Sequence, residues 1–229
     1  TARPGLLTAL SRTLANVGQI ARASDRSMLF ICLAIFCWFM GYNGVEAFWT
    51  SYGREVIYAE QIAAGALTSE QAVSRSTMQL TYLSAAFLLF ALPAGFVATR
   101  LGRKRTISAG LVALAVLWLG MWLIPHPLYV TVALVLSGVA WACVNINSLP
   151  VVADLAPRDQ VGAYTGLYYF FSMLAASTSP TIVGWLMDRV GLKVMFPFAS
   201  LFMALALVLV LQVRRTEPAE AAEQGAAAE

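Results

Sequence analysis

Glu46 is the side chain in this sequence best placed to do chemistry, because it lies in the run GYNGVEAFW with apolar residues before and after it. Tyr42, Glu46 and Trp49 fall at i, i+4 and i+7, with Asn43 three before Glu46, so one helical face would carry a carboxylate, an amide and two rings. Such a face can bind a hydroxylated solute. The carboxylate and amide exchange hydrogen bonds with it while the indole of Trp49 stacks on a ring. Desolvation disfavours the charged form of a carboxylate, which is the property a proton carrier needs. The alternative is a Glu46 that sits hydrated near a membrane interface. Trp141, Asn145 and Ser148 repeat the same spacing further along the chain. Asn145 and Asn147 could equally hold helices together, since buried amides find partners across helix contacts. Tyr164 and Tyr168, one turn apart, could line the same path or belong to an interfacial aromatic belt. Gln79 and Tyr82 are thinner candidates.

These residues need elements that cross a bilayer. Of 229 residues, 59% are hydrophobic and 12% charged, with a mean hydropathy of +0.72; an ordinary soluble domain is about 25% charged. Spans are expected at about 28–50, 77–99, 107–124, 128–154, 161–187 and 194–213, each near the ~20 residues that cover the hydrocarbon core. Runs such as GLVALAVLWLGMWLI do not alternate, which excludes a β-barrel. Residues 1–27 read as a cytoplasmic linker, with Leu6, Leu10 and Leu14 at the spacing of an amphipathic surface helix, or as a plain linker. Residues 214–229 read as a disordered tail. Between the first two spans, LTSEQAVSR offers a short helix capped by Thr68, with Gln71 three residues on. Gly162 and Gly166 form a GxxxG pair that would let two helices approach closely.

The residue types also exclude functions. Cys32, Cys37 and Cys143 fall inside spans with no CxxC pair, so they read as packing residues and no metal site is expected. His126 reads as a turn residue. HExxH, GxSxG and the phosphate-binding GxxxxGK[ST] are all absent, so neither an enzyme nor direct ATP coupling is expected, and no cofactor. The formal charge of +3 sits in short loops and speaks for orientation and against nucleic acid as a partner. Arg3, Arg12, Arg22, Arg26, Arg100, Arg103, Lys104, Arg105, Arg158, Arg214 and Arg215 collect on one side, against Arg54, Arg75, Arg189 and Lys193 on the other. The positive-inside rule then puts both ends of the chain in the cytoplasm, as an even number of spans requires.

The chain repeats. GFVATRLGRKR from Gly95 returns as GWLMDRVGLK from Gly184, aligning Arg100 with Arg189, Gly102 with Gly191 and Lys104 with Lys193 at an offset of 89 (184 − 95). Each unit holds three spans, so the second unit must enter the membrane upside down relative to the first. Inverted repeats of this kind are common in secondary transporters, where a central site is exposed to each side in turn. The expected fold is therefore an all-α membrane protein of six helices arranged as two inverted three-helix repeats.

The run Gly95, Thr99, Arg100, Gly102, Arg103, Lys104 resembles the loop signature of the major facilitator superfamily, Gly-x-x-x-Asp-Arg/Lys-x-Gly-Arg/Lys-Arg/Lys. The resemblance covers about residues 28–213 and implies the carboxy-terminal half of a twelve-helix transporter. GYNGVEAFW with GAYTGLYYFF also resembles the sugar–cation symporter branch. The family likeness implies alternating access, a small polar solute moved with protons, and a plasma or bacterial inner membrane; the likeness to the symporter branch implies a sugar. It implies a gating loop of Gly95, Arg100, Gly102, Arg103 and Lys104. Thr99 stands where the family has an acid, so Asp154 is the expected partner of Arg100 or Arg103. A six-helix half hides its polar face only against an amino-terminal half or a second chain, and the missing initiator Met leads to the expectation of upstream sequence. The competing class is a non-transporting assembly or sensory module on the same scaffold.

Overall fold

The computed structural model describes residues 26–214 together with Gly18. The expected linker and tail fall almost wholly outside the described residues. Within them six helices are long and apolar enough to cross a membrane, and no strand occurs. They are α1 (Ser27–Tyr52), α2 (Ser69–Leu101), α3 (Arg103–Leu123), α4 (Pro127–Leu155), α5 (Val161–Val190) and α6 (Met195–Gln212).

Two helices outrun their expected lengths. A π-helical segment, Gly53–Ile57, carries α1 onward and closes with the Tyr58 N–H donating to the Gly53 carbonyl at 2.9 Å. The helix capped by Thr68 is not short, because nothing in SEQAVSRST breaks it and it runs directly into the second span. Its start is fixed by a capping box. The Gln71 N–H donates to Thr68 Oγ1 at 3.2 Å and the Thr68 N–H to Gln71 Oε1 at 2.9 Å. Ala59–Ala63 forms one short turn between α1 and α2.

The inverted repeat is written into the packing. α1 packs on α5 and α6, α4 packs on α2 and α3, and α3 meets α6. Exchanging the two units leaves this list unchanged. The caps agree: Gly102 (φ 90°) and Gly191 (φ 96°), 89 residues apart (191 − 102), stop α2 and α5 in the left-handed region that favours glycine. Their N–H groups donate to the carbonyls of Ala98 and Met187, also 89 apart (187 − 98).

Close helix contacts repeat as well. A side chain added at Gly41 would meet the Ala199 carbonyl oxygen at 3.0 Å, and one at Gly110 would meet the Ala140 carbonyl oxygen at 2.7 Å. These are related contacts, since α3 and α6 are offset by 89 (199 − 110) and α1 and α4 by 99 (140 − 41). The ten extra residues lie in the longer connection between α1 and α2.

The start of α1 and the end of α6 meet at one end of the bundle, where the Arg214 N–H donates to Ser27 Oγ at 3.0 Å. Elsewhere the outside is oily: Leu88, Leu89, Leu92 and Phe96 on α2 are each 70% or more exposed. Such a surface needs lipid or protein around it. Gly162 and Gly166 meet nothing within the chain, so the close approach expected of that pair is not made among the described residues.

Candidate functional site

The crossing of α1 and α4 brings two of the expected site residues into contact. Tyr42 and Trp141 stack with ring centroids 4.1 Å apart and planes 8° from parallel. They are 99 positions apart (141 − 42), the α1 to α4 offset, so each ring touches its own repeat mate and the pseudo-two-fold axis passes between them. Phe39, one turn before, sets its edge against Trp141 at 5.5 Å and lies 6.5 Å from Tyr168 of α5. Phe39 escaped the sequence reading because it sits in an unbroken apolar run with no polar periodicity to mark it.

A polar chain joins this aromatic cluster. The Ser148 hydroxyl donates to the Asn145 carbonyl at 2.6 Å, which leaves its oxygen to accept from the Tyr168 hydroxyl at 3.2 Å. Tyr168 is therefore held by α4 and is nearly buried, at 8% exposure. Asn43 folds back along α1 and donates to the Phe39 carbonyl at 2.7 Å. Glu46 is exposed one turn beyond Tyr42.

Two expected site residues, Trp49 and Gln79, are placed elsewhere, and Asn147 does what was expected of an amide between helices. Trp49 is fully buried, its indole N–H donating to the Ser76 carbonyl at 2.8 Å and its ring set against Tyr52 and Phe196. It lies on the same side of α1 as Glu46, but the start of α2 crosses α1 at that height and covers it. Its ring is thus unavailable for stacking on a solute. Gln79 is 3% exposed and donates to Thr131 Oγ1 at 2.9 Å, tying α2 to α4. Asn147 donates to the carbonyls of Cys143 at 3.0 Å and Ala94 at 3.4 Å, again between α4 and α2. For these two amides the structure shows helix bridging.

The loop between α2 and α3 makes an end plate. Arg103 Nη1 pairs with Asp154 Oδ2 at the end of α4, both side chains partly exposed. Lys104 donates to the carbonyls of Leu211 at 2.9 Å and Val213 at 2.6 Å, a cation on the carbonyl end of α6. Arg100 is exposed. The Thr99 hydroxyl turns back to the Phe96 carbonyl at 2.8 Å and so takes no part in the ion pair. Gly95 borders a groove of 340 Å³ with Phe96, Thr99, Arg103, Asn147 and Pro150.

At the opposite end the repeat mate of this loop follows α5. Asp188 stands 89 residues after Thr99 (188 − 99), so the second copy carries the acid that the first has lost, a match the aligned sequences contain and the sequence reading passed over. Arg189 lies over the Trp185 ring, 5.0 Å from its centroid. Nearby, burial pushes the Tyr58 phenol above its usual range and the Arg75 guanidinium draws it part of the way back.

Comparison with known proteins agrees with this architecture. The family model for the Major Facilitator Superfamily matches residues 31–229. An MFS-type transporter ppzB from Metarhizium rileyi (strain RCEF 4871) is 27% identical over 134 residues, covering 58% of this chain and 28% of the relative. Its namesake from Metarhizium majus (strain ARSEF 297) is 27% identical over 129 residues, covering 56% and 28%. The matched part of this chain thus spans little more than a quarter of these relatives.

Proposed function

The chain belongs to the major facilitator superfamily, and from that we propose that it forms the carboxy-terminal six-helix half of a secondary transporter working by alternating access. The transported species is a small polar solute, with a sugar as the leading class and protons as the coupling ion. An amino-terminal half, or a second chain, covers the face that bears Glu46. Both ends of the described bundle's chain lie in the cytoplasm of a plasma or inner membrane.

One observation carries this reading. The Tyr42–Trp141 stack joins repeat mates of α1 and α4, and Glu46 is exposed one turn away. Inverted-repeat transporters place their sites at such a repeat interface near mid-membrane. Intramembrane carboxylates cost at least ~2.5 kcal/mol on insertion scales and so mark ion or solute paths. In the site, Trp141 and Tyr42 form an aromatic wall, Asn43 and Asn145 offer amides, and Glu46 takes and releases the proton. Arg103 and Asp154 hold the cytoplasmic end shut and separate when the site turns inward.

Uptake by the full-length protein in proteoliposomes tests the scheme. Glu46→Gln should abolish accumulation driven by a proton gradient while leaving downhill exchange of the same solute measurable. Gradient-driven accumulation by Glu46→Gln would remove the coupling role. The absence of any solute flux by the unaltered protein would favour a non-transporting module.

A further inference from the structure

The inverted repeat gives the bundle two ends that ought to be alike, and the structure shows them in different states. At the first end two cations share two tasks: Arg103 pairs with Asp154, and Lys104 caps the carbonyls of Leu211 and Val213 at the end of α6. The repeat maps each participant to the other end. Asp154 corresponds to Glu55 at the 99-residue offset of α1 and α4 (154 − 55), while Lys104 corresponds to Lys193 and Val213 to Ile124 at the offset of 89. Arg103 corresponds to Leu192, which is apolar (192 − 103).

The mapped residues converge. Glu55, Lys193 and Ile124 line a single cavity of 660 Å³, together with Glu60, Gln61 and His126. In the structure Glu55 pairs with its neighbour Arg54, about half of each side chain being exposed, and Lys193 is exposed. The cavity therefore occupies the place where, at the first end, an acid, a cation and a helix carbonyl end are joined.

We infer that this cavity is the open form of a second latch, in which Lys193 closes the end by pairing with Glu55 and opens it by withdrawing to the carbonyl end of α3. One cation serves two acceptors here because the position of Arg103 is filled by Leu192. The second end is accordingly the weaker of the two and opens more readily. Arg54 competes for Glu55 in the open form, and Glu60 lines the same cavity as Lys193. A half-exposed ion pair supplies about 0.2–1 kcal/mol, which sets the size of the expected effect.

The inference rests on the alternating-access reading, but its test needs no solute. In the full-length protein in sealed vesicles, Gln61→Cys places a thiol in the cavity for labelling by a membrane-impermeant maleimide. Glu55→Gln and Lys193→Met should each raise the labelling rate about two- to fivefold, and the exchanged pair Glu55→Lys with Lys193→Glu should return it to within twofold of the parent. Rates unchanged by both neutralisations, or left high by the exchange, would overturn the latch. A Glu55→Cys, Lys193→Cys protein gives an independent reading: a short bifunctional thiol reagent should join the two, and no cross-link in folded protein also overturns it. Normal uptake alongside a silent labelling result sinks the latch alone, whereas an unaltered protein without flux sinks the transport reading.

Discussion

The two ends of the bundle are built from repeated sequence, yet one is tied and the other stands open. Where α2 passes into α3, Arg103 and Lys104 reach a carboxylate on α4 and the carbonyl end of α6. Where α5 passes into α6, Leu192 and Lys193 occupy the same positions, and Lys193 lines a cavity of 660 Å³. The glycine turns do not distinguish them, since Gly102 and Gly191 turn the chain with φ of 90° and 96° and stop a helix at each end. The difference lies in the side chains that follow these glycines, together with the π-helical end and longer connection of α1. That is what a scaffold for alternating access requires: a symmetric frame that tolerates two states, and an asymmetric set of ties that decides which end opens.

The frame should be the most sensitive part. A methyl group added at Gly110 would lie 2.7 Å from the Ala140 carbonyl oxygen, which is backbone and can yield only if α3 and α4 separate. In the repeat-related contact the glycine stands on the other partner: Gly41 has 3.0 Å to the Ala199 carbonyl oxygen, and its next neighbour is the flexible end of Met203 at 3.1 Å. Gly110→Ala should therefore cost about 1–3 kcal/mol and Gly41→Ala less, read as the shift in thermal unfolding of the detergent-solubilised protein. Equal losses would mean that the two contacts are as alike in energy as they are in position.

The tie at the first end comes next in size. Asp154→Asn removes the charge that faces Arg103 and should raise the labelling of a cysteine at Thr99 about two- to fivefold, an effect of about 0.4–1 kcal/mol, within the range of a partly exposed pair. Arg103→Gln should do the same. The double variant should be no worse than either alone, because both substitutions delete one interaction. Additive effects would show that Asp154 and Arg103 act on this end separately.

Much of the frame was legible in the sequence because it rests on spacing. Six apolar runs gave six helices, and the recurrence of Gly102 as Gly191 marked two helix ends that the structure stops in the same way. The site was less legible, since residue type and helical angle do not say what lies opposite. Trp49 lies on the same side of α1 as Glu46 but meets α2, because the connection after α1 folds back and brings Ser76 of α2 against its indole N–H. Gln79 and Asn147 show the same limit: an amide that binds a solute and one that bridges two helices have the same sequence, and only the neighbours Thr131 and Ala94 tell them apart. The stack of Tyr42 on Trp141 could be placed on a shared face from spacing, but not in contact.

The smallest expected effect bears most directly on the contrast between the ends. If the open end lacks only the cation that Arg103 supplies at the other, Leu192→Arg should restore it. Leu192 is partly buried against the core in a turn of 3₁₀ helix, Leu192–Val194. An arginine there can lay its aliphatic stem along the same apolar surface and extend its guanidinium toward the cavity rim. With Lys193 then free to cap α3, the new guanidinium would take Glu55 from Arg54, and labelling of Gln61→Cys should fall about twofold. Adding Glu55→Gln to Leu192→Arg should cancel that fall. An unchanged labelling rate in folded Leu192→Arg protein would mean that the two ends differ by more than one missing charge, with the longer connection between α1 and α2 the next difference to remove.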